Sequence, residues 1–317
     1  MAPAALHCAR PCLSNENMQE PDQPPEPRPA AWRCGRFSYA PERVLVMGIL
    51  NLTPDSFSDG GRFQRPAEAI IAARAMIDDG ADILDLGAES TRPGATPTSE
   101  AEELDRLLPV LEALRDVSVA LSVDTRRPAV MRAALAAGAD LINDIEALAA
   151  PGAIAAVADS DCGLCLMHMR GSPLTMQREP AYREVVGEVA DFLQSRLGQA
   201  RAGGIADERI MLDPGIGFGK DLGHNLALLH SLDRIVALGR PVLVGASRKS
   251  MLGELTGRAV DERLAASIAV ALAAAARGAR VLRVHDVRET VDALRVWDAI
   301  EAGRPVAIQR RPAARSR

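Results

Sequence analysis

Short apolar runs alternate with longer segments of helical period along most of the chain. The runs are rich in Val, Leu and Ile, which is typical of strands buried on both faces of a parallel sheet. The segments between them repeat apolar residues at the spacing of amphipathic helices. The predicted strands are residues 44–50, 83–87, 119–124, 141–144, 163–168, 209–213, 241–246 and 280–285.

The alternation of strands and helices predicts the fold class. Gly80, Gly138 and Gly278 stand where a predicted helix ends and the next strand begins, and glycine accepts the left-handed conformation found after a helix. Eight strands, most of them followed by a helix, predict a single α/β domain folded as a (β/α)8 barrel. An open doubly wound sheet is the alternative.

The two ends of the chain differ from the barrel region in composition. Residues 1–40 contain repeated Pro, Asp, Glu and Gln without an apolar period, so a disordered or loosely attached extension is expected there. The barrel is assigned to residues 41–303. The basic tail, residues 304–317, is expected to be frayed.

Composition narrows the class of partner and compartment. Hydrophobic residues make up 48% of the 317 residues and aromatic residues only 3%, so the core must consist mainly of Ala, Leu, Val and Ile. A net charge of -5 gives no basic field for nucleic acid. The sequence shows neither a membrane-spanning apolar window nor a secretory pattern, so a cytoplasmic location is expected.

Five cysteines are scattered along the chain. Cys162 and Cys165 form a CxxC pair, but the pair falls on a predicted strand rather than at the start of a helix. A closed zinc site needs four ligands. Packed free thiols are therefore favoured over a redox or zinc site.

Polar residues stand where the predicted strands end, which is where a barrel gathers its chemistry. Asn51 opens a long polar loop, LTPDSFSDGG, which is interpreted as a lid that closes over a ligand, with an ordinary turn as the alternative. Asp124, Asn143 and Asp144 end the third and fourth strands. Such groups suit a flat heterocycle with amide-like edges, whereas a helix-capping role stays open for the two aspartates.

The late strands add a glycine-rich loop and a group of cations. Asp213 precedes PGIGFGK, which lacks the spacing of a phosphate-binding loop, so Asp213 is interpreted as another ring-edge contact. The loops after the seventh and eighth strands carry Ser247-Arg248-Lys249 and Arg283-Val284-His285. Barrels often bind phosphate with these loops, so an anionic substrate is expected, with solvated surface charge as the alternative.

Several segments together resemble the dihydropteroate synthase family over about residues 43–300. The matching blocks, in order, are VMGILNLTPDSFSDGG, DLGAESTRPGA, LSVDT, LINDI, LMHMRGSP, DPGIGFGK, GASRKSM and RVHDV. The family joins 6-hydroxymethyl-7,8-dihydropterin diphosphate to 4-aminobenzoate and releases pyrophosphate. Asp221 departs from the commoner Thr after the lysine, and the long amino-terminal segment has no counterpart in the catalytic pattern.

The resemblance implies a role for each matching position. Asp124, Asn143 and Asp213 would hold the pterin edge, Met167 and Gly245 would line it, and Lys249 would orient the ring. The diphosphate would be received by Asn51, Arg92, Arg283 and His285, with Mg2+ between Asn51 and phosphate oxygens. The aminobenzoate would be framed by Phe57, Thr91, Pro93, Phe218 and Ser247. A homodimer formed by the late helices is also implied.

The implied catalysis consists mostly of positioning and electrostatics. Arg283 and His285 would absorb charge that develops on the leaving group, while Asp124 would favour a cation-like pterin methylene and Lys249 would orient the ring. Three alternatives stay open: a methyltetrahydrofolate-dependent methyltransferase, an aldolase that uses Lys249 as a Schiff base, and an inactive paralogue that binds pterin or a partner protein.

Overall fold

The computed structural model describes residues 31–40, 42–53, 65–89, 98–171, 176 and 180–305. The described chain begins with an antiparallel hairpin of β1 (Trp32–Cys34) and β2 (Phe37–Tyr39). Eight parallel strands follow: β3 (Leu45–Asn51), β4 (Ile83–Gly87), β5 (Ala120–Asp124), β6 (Leu141–Asp144), β7 (Gly163–Met167), β8 (Ile210–Asp213), β9 (Leu243–Val244) and β10 (Val281–Val284).

The eight parallel strands form a closed barrel. Their spatial order is β8-β7-β6-β5-β4-β3-β10-β9, so the neighbours run in sequence order around the ring. A parallel bridge between Leu212 and Val242 joins the two ends, and the Leu212 amide donates to the Pro241 carbonyl at 2.9 Å. This closure confirms the predicted (β/α)8 barrel and excludes the open sheet.

Helices surround the barrel and connect its strands. In the described residues they are α1 (Arg65–Asp78), α2 (Glu100–Leu114), α3 (Pro128–Ala136), α4 (Ala153–Val157), α5 (Val185–Ala202), α6 (Leu222–His230), α7 (Asp233–Val236), α8 (Ser250–Thr256), α9 (Leu264–Ala276) and α10 (Val287–Glu301). Short 3-10 helices span Asp207–Arg209 and Val260–Glu262. Asp221 caps α6 by accepting the His224 amide at 2.7 Å, a role that threonine also performs, which accounts for the departure at this position.

Alternate residues along each strand point into the barrel or towards the helices. The outward side chains join the helices in a continuous apolar layer. The inward side chains at the amino ends of the strands form a second apolar cluster: Leu45, Met47, Ile83, Ala120, Leu141, Cys165, Met211, Leu243 and Val281. The barrel interior is therefore filled with apolar side chains at its amino end, and the chemistry is expected at its carboxyl end.

The hairpin closes the amino end of the barrel. Trp32 is 3% exposed, Cys34 is fully buried, and both pack against the inner apolar cluster. The Trp32 indole N–H donates to the Arg209 carbonyl at 3.2 Å. The expectation of a loosely attached segment is therefore wrong for residues 32–39, because burial of their aromatic side chains against the barrel holds them in place. The Pro-rich composition of the preceding residues gave no sign of this. Residues 1–30 and 306–317 lie outside the described residues.

The CxxC pair behaves as packed thiols. Cys162 and Cys165 are free and buried, and burial raises the pKa of each thiol above its ordinary value. In the part of the chain that the structure describes, no group of three or more His, Cys, Asp or Glu residues is placed to hold a metal ion. The prediction of packed free thiols is confirmed. Within the same residues, every helix is too short or too polar to cross a membrane.

Candidate active site

Polar side chains replace apolar ones on the inner face of the barrel towards its carboxyl end. On β4, Ile83 is followed inward by Asp85 and Gly87, and on β5 Ala120 is followed by Ser122 and Asp124. The same change places Asn143, Asp213 and Arg283 at the inner face of their strands. The carboxyl end of the barrel thus holds a buried polar layer directly above the apolar filling.

Two carboxylates share one guanidinium at the centre of this layer. Arg283 Nε donates to Asp85 Oδ2 at 2.6 Å, and its Nη2 donates to Asp124 Oδ2 at 3.1 Å. Asp85 is fully buried, and the side chains of Asp124 and Arg283 are 11% and 20% exposed. Such charges are stable in a barrel interior only because they are paired.

Burial dominates the electrostatics of the cluster. It raises the pKa of Asp124 to about 7, with Arg283 opposing the rise and Asp85 adding to it. Burial also disfavours the charge of Arg283, but the neighbouring carboxylates outweigh it and hold the pKa of Arg283 above its ordinary value. The guanidinium is therefore a permanent cation, whereas Asp124 changes charge near neutral pH.

Strand alternation separates the two residues that end β6. Asn143 points inward and its amide Nδ2 donates to Asp85 Oδ2 at 3.2 Å. Asp144 points the other way, where its carboxylate accepts the amides of Glu146 at 2.8 Å and Leu148 at 2.7 Å. Asp144 therefore caps a turn and not a helix, because the next helix, α4, begins at Ala153 with Gly152 as its N-cap. Asn143 lies in the polar layer, and its role in binding stays a prediction.

The glycine-rich loop after β8 passes close to its neighbours. Gly215, Gly217 and Gly219 all have positive φ. A Cβ on Gly215 would lie 1.8 Å from the His168 carbonyl oxygen, and one on Gly219 would lie 2.4 Å from that of Arg170. Only glycine fits such positions. The loop is therefore pressed against the end of β7.

Lys220 holds this loop from within and does not extend towards a ligand. Its Nζ donates to the carbonyls of Gly215 at 2.9 Å and Phe218 at 3.0 Å, and it lies 2.9 Å from Nδ1 of His168. Burial and Lys220 together lower the pKa of His168 to about 3, so its ring is neutral and Nδ1 can accept a hydrogen bond from Lys220. Burial also lowers the pKa of Lys220, to about 7. The lysine is a structural part of the loop, unlike the lysine of a phosphate-binding loop.

Asp213 and Lys249 face each other beside that loop. Burial raises the pKa of Asp213, an effect that Lys249 and the Gly215 amide oppose. Lys249 Nζ donates to the Ile216 carbonyl and lies 4.4 Å from the centre of the Phe218 ring. Burial lowers the pKa of Lys249 to about 8 against the attraction of Asp213. The structure thus brings together two sequence-predicted residues and adds an aromatic wall.

Ser247 and His285 form the opposite rim. The Ser247 hydroxyl accepts the His285 amide at 3.3 Å and lies 3.0 Å from His285 Nδ1. A hydroxyl that accepts the amide can also donate to Nδ1, and in that tautomer the ring proton lies on Nε2. A protonated Nε2 is a hydrogen-bond donor suited to an anion.

Two glycines and a methionine complete the site. A Cβ on Gly87 would lie 3.9 Å from both Asn51 Oδ1 and Asp124 Oδ2, so these two polar side chains come together over the end of β4. A Cβ on Gly245 would lie 3.6 Å from Cβ of Arg283. Met167 is 3% exposed and pairs in register with Asp213. These residues lie in or beside the polar layer, as predicted.

Arg248, which was expected in the anion site, instead forms an ion pair with another residue. Arg248 has a positive φ of 58° and forms an ion pair with Asp286, with Nε 3.1 Å from Oδ2. It was grouped with Lys249 and Arg283 because of its position in the sequence alone. Among the residues that the structure describes, the cations of the polar layer are therefore Lys249 and Arg283. The predicted residues Phe57, Thr91, Arg92 and Pro93 lie outside the described residues.

Sequence reasoning missed Asp85 and the role of Lys220. Asp85 lies inside the run ILDLG instead of at its end, so a search of strand ends passed over it. A charged residue inside an apolar strand was the available signal, because such a residue must find a buried partner. Lys220 was set aside with the phosphate-loop interpretation, although a buried lysine after several glycines could have indicated a carbonyl-rich loop.

Comparison with known proteins places the chain among pterin-binding proteins. The model of the pterin binding enzyme family matches residues 47–285. The dihydropteroate synthase of Neisseria meningitidis serogroup B is 51% identical over 276 residues, which cover 85% of this chain and 97% of that relative. The similarity therefore extends over nearly the whole length of the relative.

Solved structures are equally similar. The structure of Burkholderia cenocepacia dihydropteroate synthase, complexed with 7,8-dihydropteroate, is 54% identical with a TM-score of 0.80, covering 87% of this chain and 98% of that one. The Xanthomonas albilineans dihydropteroate synthase, solved with 4-aminobenzoic acid, is 49% identical with a TM-score of 0.82, covering 87% and 99%.

Proposed function

Because the chain belongs to the dihydropteroate synthase family of pterin-binding enzymes, we propose that it condenses 6-hydroxymethyl-7,8-dihydropterin diphosphate with 4-aminobenzoate. The products are 7,8-dihydropteroate and pyrophosphate. The observation that carries this proposal is the buried layer formed by Asp124, Asn143 and Asp213, bordered by Lys249 and Arg283.

The polar layer suits the pterin ring. A 7,8-dihydropterin has donors at its 2-amino group, N3 and N8, and acceptors at O4 and N5. Asp124 and Asp213 supply acceptor oxygens, and Lys249 supplies the donor, while the apolar filling beneath excludes water. A flat ring with both kinds of edge satisfies groups that would otherwise be costly to bury.

The opposite rim suits the leaving group. Arg283 presents a permanent positive charge, and the ring of His285 lies beside it on the rim, within hydrogen-bond distance of Ser247, in a position to donate from Nε2 when Ser247 donates to Nδ1. Charge-assisted bonds to phosphate oxygens are strongest from such preorganised donors. Arg92 is proposed as a further diphosphate contact, although it lies outside the described residues.

The residues present fit a magnesium ion that is held largely by substrate. Mg2+ often takes one or two protein oxygens together with substrate phosphates and water. Asn51 Oδ1 lies over Gly87 beside Asp124, so we propose that Asn51 supplies the protein oxygen. When bound, the ion would neutralise charge on the diphosphate.

The second substrate is proposed to lie between Ser247 and Phe218. Phe218 is half-buried against Lys249, and its ring offers a surface for an aromatic amine. The Xanthomonas albilineans relative was solved with 4-aminobenzoic acid, which supports the assignment. Phe57, Thr91 and Pro93 are proposed for the same subsite from the sequence resemblance, and they lie outside the described residues.

The reaction needs positioning more than proton transfer. The bond between the pterin methylene carbon and the diphosphate oxygen breaks, and its electron pair leaves on pyrophosphate. The amine nitrogen then forms the new bond to carbon and releases its proton to solvent. Arg283 and His285 would stabilise the charge on the departing oxygen, Asp124 would stabilise positive charge on the pterin, and Lys249 would fix the ring.

A homodimer is part of the proposal. Leu255 on α8, Val260 and the α10 residues Val296 and Ile300 are 53%, 57%, 61% and 70% exposed. Apolar side chains of this size on the late helices favour contact with a second copy. Sedimentation equilibrium of the full chain measures the oligomeric state. The cytoplasmic location stays a prediction of the sequence.

The direct test measures both products from the two substrates with Mg2+. The full chain should release one pyrophosphate for each 7,8-dihydropteroate formed, whereas an inactive paralogue would release none. Arg283→Lys should lower kcat/KM by about a hundredfold. A lysine cannot hold both Asp85 and Asp124 and still present further donors to the diphosphate. Activity that is independent of the aminobenzoate, or an unaffected variant, would contradict the proposal.

Arg209→Lys is the matched control for this experiment. Arg209 is also a buried arginine, but it lies at the amino end of the barrel, where it donates to the carbonyls of Cys162 and Val157 at 2.8 Å each. Its replacement should lower thermal stability and leave kcat/KM unchanged. A comparable loss of kcat/KM in this control would show that a stability effect explains the Arg283 result.

A further inference from the structure

Asp85 is a buried carboxylate in the polar layer that the sequence did not single out. It is fully buried on the inner face of β4. Its Oδ1 accepts the Ser122 hydroxyl at 2.5 Å, and its Oδ2 accepts Asn143 Nδ2 at 3.2 Å and Arg283 Nε at 2.6 Å. Three donors converge on a carboxylate that water does not reach.

These contacts fix the orientation of the Asn143 amide. Both oxygens of Asp85 accept hydrogen bonds from their neighbours, so the NH2 group of Asn143 faces Asp85. The Oδ1 of Asn143 is then directed away from Asp85. It faces the pocket as an acceptor beside Asp124 and Asp213. An amide held in this orientation favours the donor edge of a ring over its acceptor edge.

The same oxygen of Asp85 also holds Arg283. Arg283 is the cation proposed to receive the diphosphate, whereas Asn143 is proposed to bind the pterin. One carboxylate oxygen therefore contacts a residue from each half of the site. A shift of either partner would change the hydrogen bond that holds the other.

We propose that Asp85 is a positioning residue that orients Asn143 towards the pterin and holds Arg283 towards the diphosphate, so that the two halves of the site support each other. This inference rests on the proposed function. It assigns Asp85 no contact with substrate. Its effect is expected on ligand affinity and on the coupling between ligands.

The test is calorimetric binding of 6-hydroxymethylpterin and of pyrophosphate with Mg2+, each alone and in the presence of the other. Asp85→Asn should weaken each ligand by about tenfold or more, as expected for the loss of a charged hydrogen bond. The unaltered protein should bind each ligand more tightly in the presence of the other, and Asp85→Asn should abolish this mutual enhancement. Unchanged affinities, or weakening of one ligand with the enhancement kept, would overturn the inference.

Asp140→Asn is the matched control. Asp140 is another buried carboxylate held by an arginine, with Arg36 Nη2 2.8 Å from its Oδ2, but it lies near the amino-terminal hairpin. Its variant should lose stability and keep both affinities. Equal weakening by the two variants would show a general structural effect and would overturn a positioning role for Asp85.

The double variant Asp85→Asn/Asn143→Asp separates the two parts of the inference. The amide at position 85 can donate to the carboxylate at position 143, whose other oxygen then faces the pocket as an acceptor. Pterin affinity should recover relative to Asp85→Asn, while pyrophosphate affinity should stay low because Arg283 has lost its ion pair with Asp85 and keeps only the one with Asp124. Failure of the pterin affinity to recover would overturn the orienting role.

A measurement on the unaltered protein covers the case in which Asp85→Asn fails to fold. The Nε–H of Arg283, identified by its loss in Arg283→Lys, should exchange slowly with solvent in an NMR experiment because Asp85 holds it. Rapid exchange would overturn the inference. If the unaltered protein bound neither ligand, the proposed function would fail instead, so the two failures are distinguishable.

Discussion

At the scale of single residues, alternation along a strand decides which acid belongs to the site. Asp124 and Asp144 both follow apolar runs, and both were candidates for capping or for binding. The structure places Asp124 inward beside Arg283 and Asp144 outward on backbone amides. The sequence could not separate them, because the inward set is known only once the strand register is known.

Because Asp124 is buried, the free energy of unfolding should decrease as pH rises towards neutrality. Burial raises the pKa of Asp124 from 3.8 to about 7. A carboxyl whose pKa is higher in the folded state stabilises the fold at low pH, and this contribution is lost as pH rises towards about 7. Asp124→Asn removes the titration. The protein without ligand should therefore lose stability relative to this variant between about pH 4 and pH 7.

Urea unfolding at a series of pH values measures this difference. Each unit of pKa shift corresponds to about 1.4 kcal/mol, so a relative change of at least about 1 kcal/mol is expected across the range. Asp161→Asn, at an exposed carboxylate with 83% side-chain exposure, should follow the unaltered protein. A difference between Asp124→Asn and the unaltered protein that does not vary with pH would contradict the assignment of the shift to Asp124.

At the scale of elements, the loop after β8 shows how glycines and one lysine build a rigid wall. Its close approach to β7 depends on backbone positions that have no room for a side chain. The glycine pattern in the sequence indicated that this loop passes close to another part of the protein, but it could not indicate which part. The contacts join residues far apart in the chain, such as Lys220 and His168, and only the folded barrel brings them together.

Gly215→Ala should therefore be strongly destabilising. Its φ is 68°, and the added Cβ would meet the His168 carbonyl oxygen. Left-handed backbone alone costs an alanine about 1–2 kcal/mol, and the contact adds to this. The unfolding free energy, measured in urea, should fall by about 2 kcal/mol or more. A loss below about 0.5 kcal/mol would show that the loop is loosely held.

Gly198→Ala is the control for this variant. Gly198 lies on the exposed side of α5 and has open space where a Cβ would be added. Alanine in a helix interior is favoured over glycine by about 0.5–1 kcal/mol, so this variant should gain stability. Opposite signs for the two substitutions would tie the loss at Gly215 to its backbone and its neighbour.

At the scale of the whole molecule, the barrel separates its packing from its chemistry. The amino end is filled by apolar side chains and covered by the hairpin, while the carboxyl end carries the charged layer. Eight apolar runs, most of them followed by a segment of helical period, were enough to predict the ring of strands. The hairpin was missed because two three-residue strands give little periodic signal, and their role depends on a barrel end far away in the sequence.

The candidate site was predictable to the extent that barrel chemistry lies at strand ends. Asp124, Asn143, Asp213, Lys249 and Arg283 were expected from their positions, and the structure places them in one polar layer. Arg248 was expected in the site but pairs with Asp286, whereas Asp85 was not expected there but lies at its centre. Charge in the sequence does not reveal whether a partner such as Asp286 already neutralises it.

The central claim is that the polar layer of the barrel holds a pterin and receives its diphosphate on one rim. A crystal structure of the protein bound to 6-hydroxymethylpterin and pyrophosphate tests it most directly. The account predicts the donor edge of the ring within hydrogen-bond distance of Asp124, Asn143 and Asp213, with pyrophosphate against Arg283 and His285. A ring bound elsewhere, or pyrophosphate remote from Arg283, would contradict it.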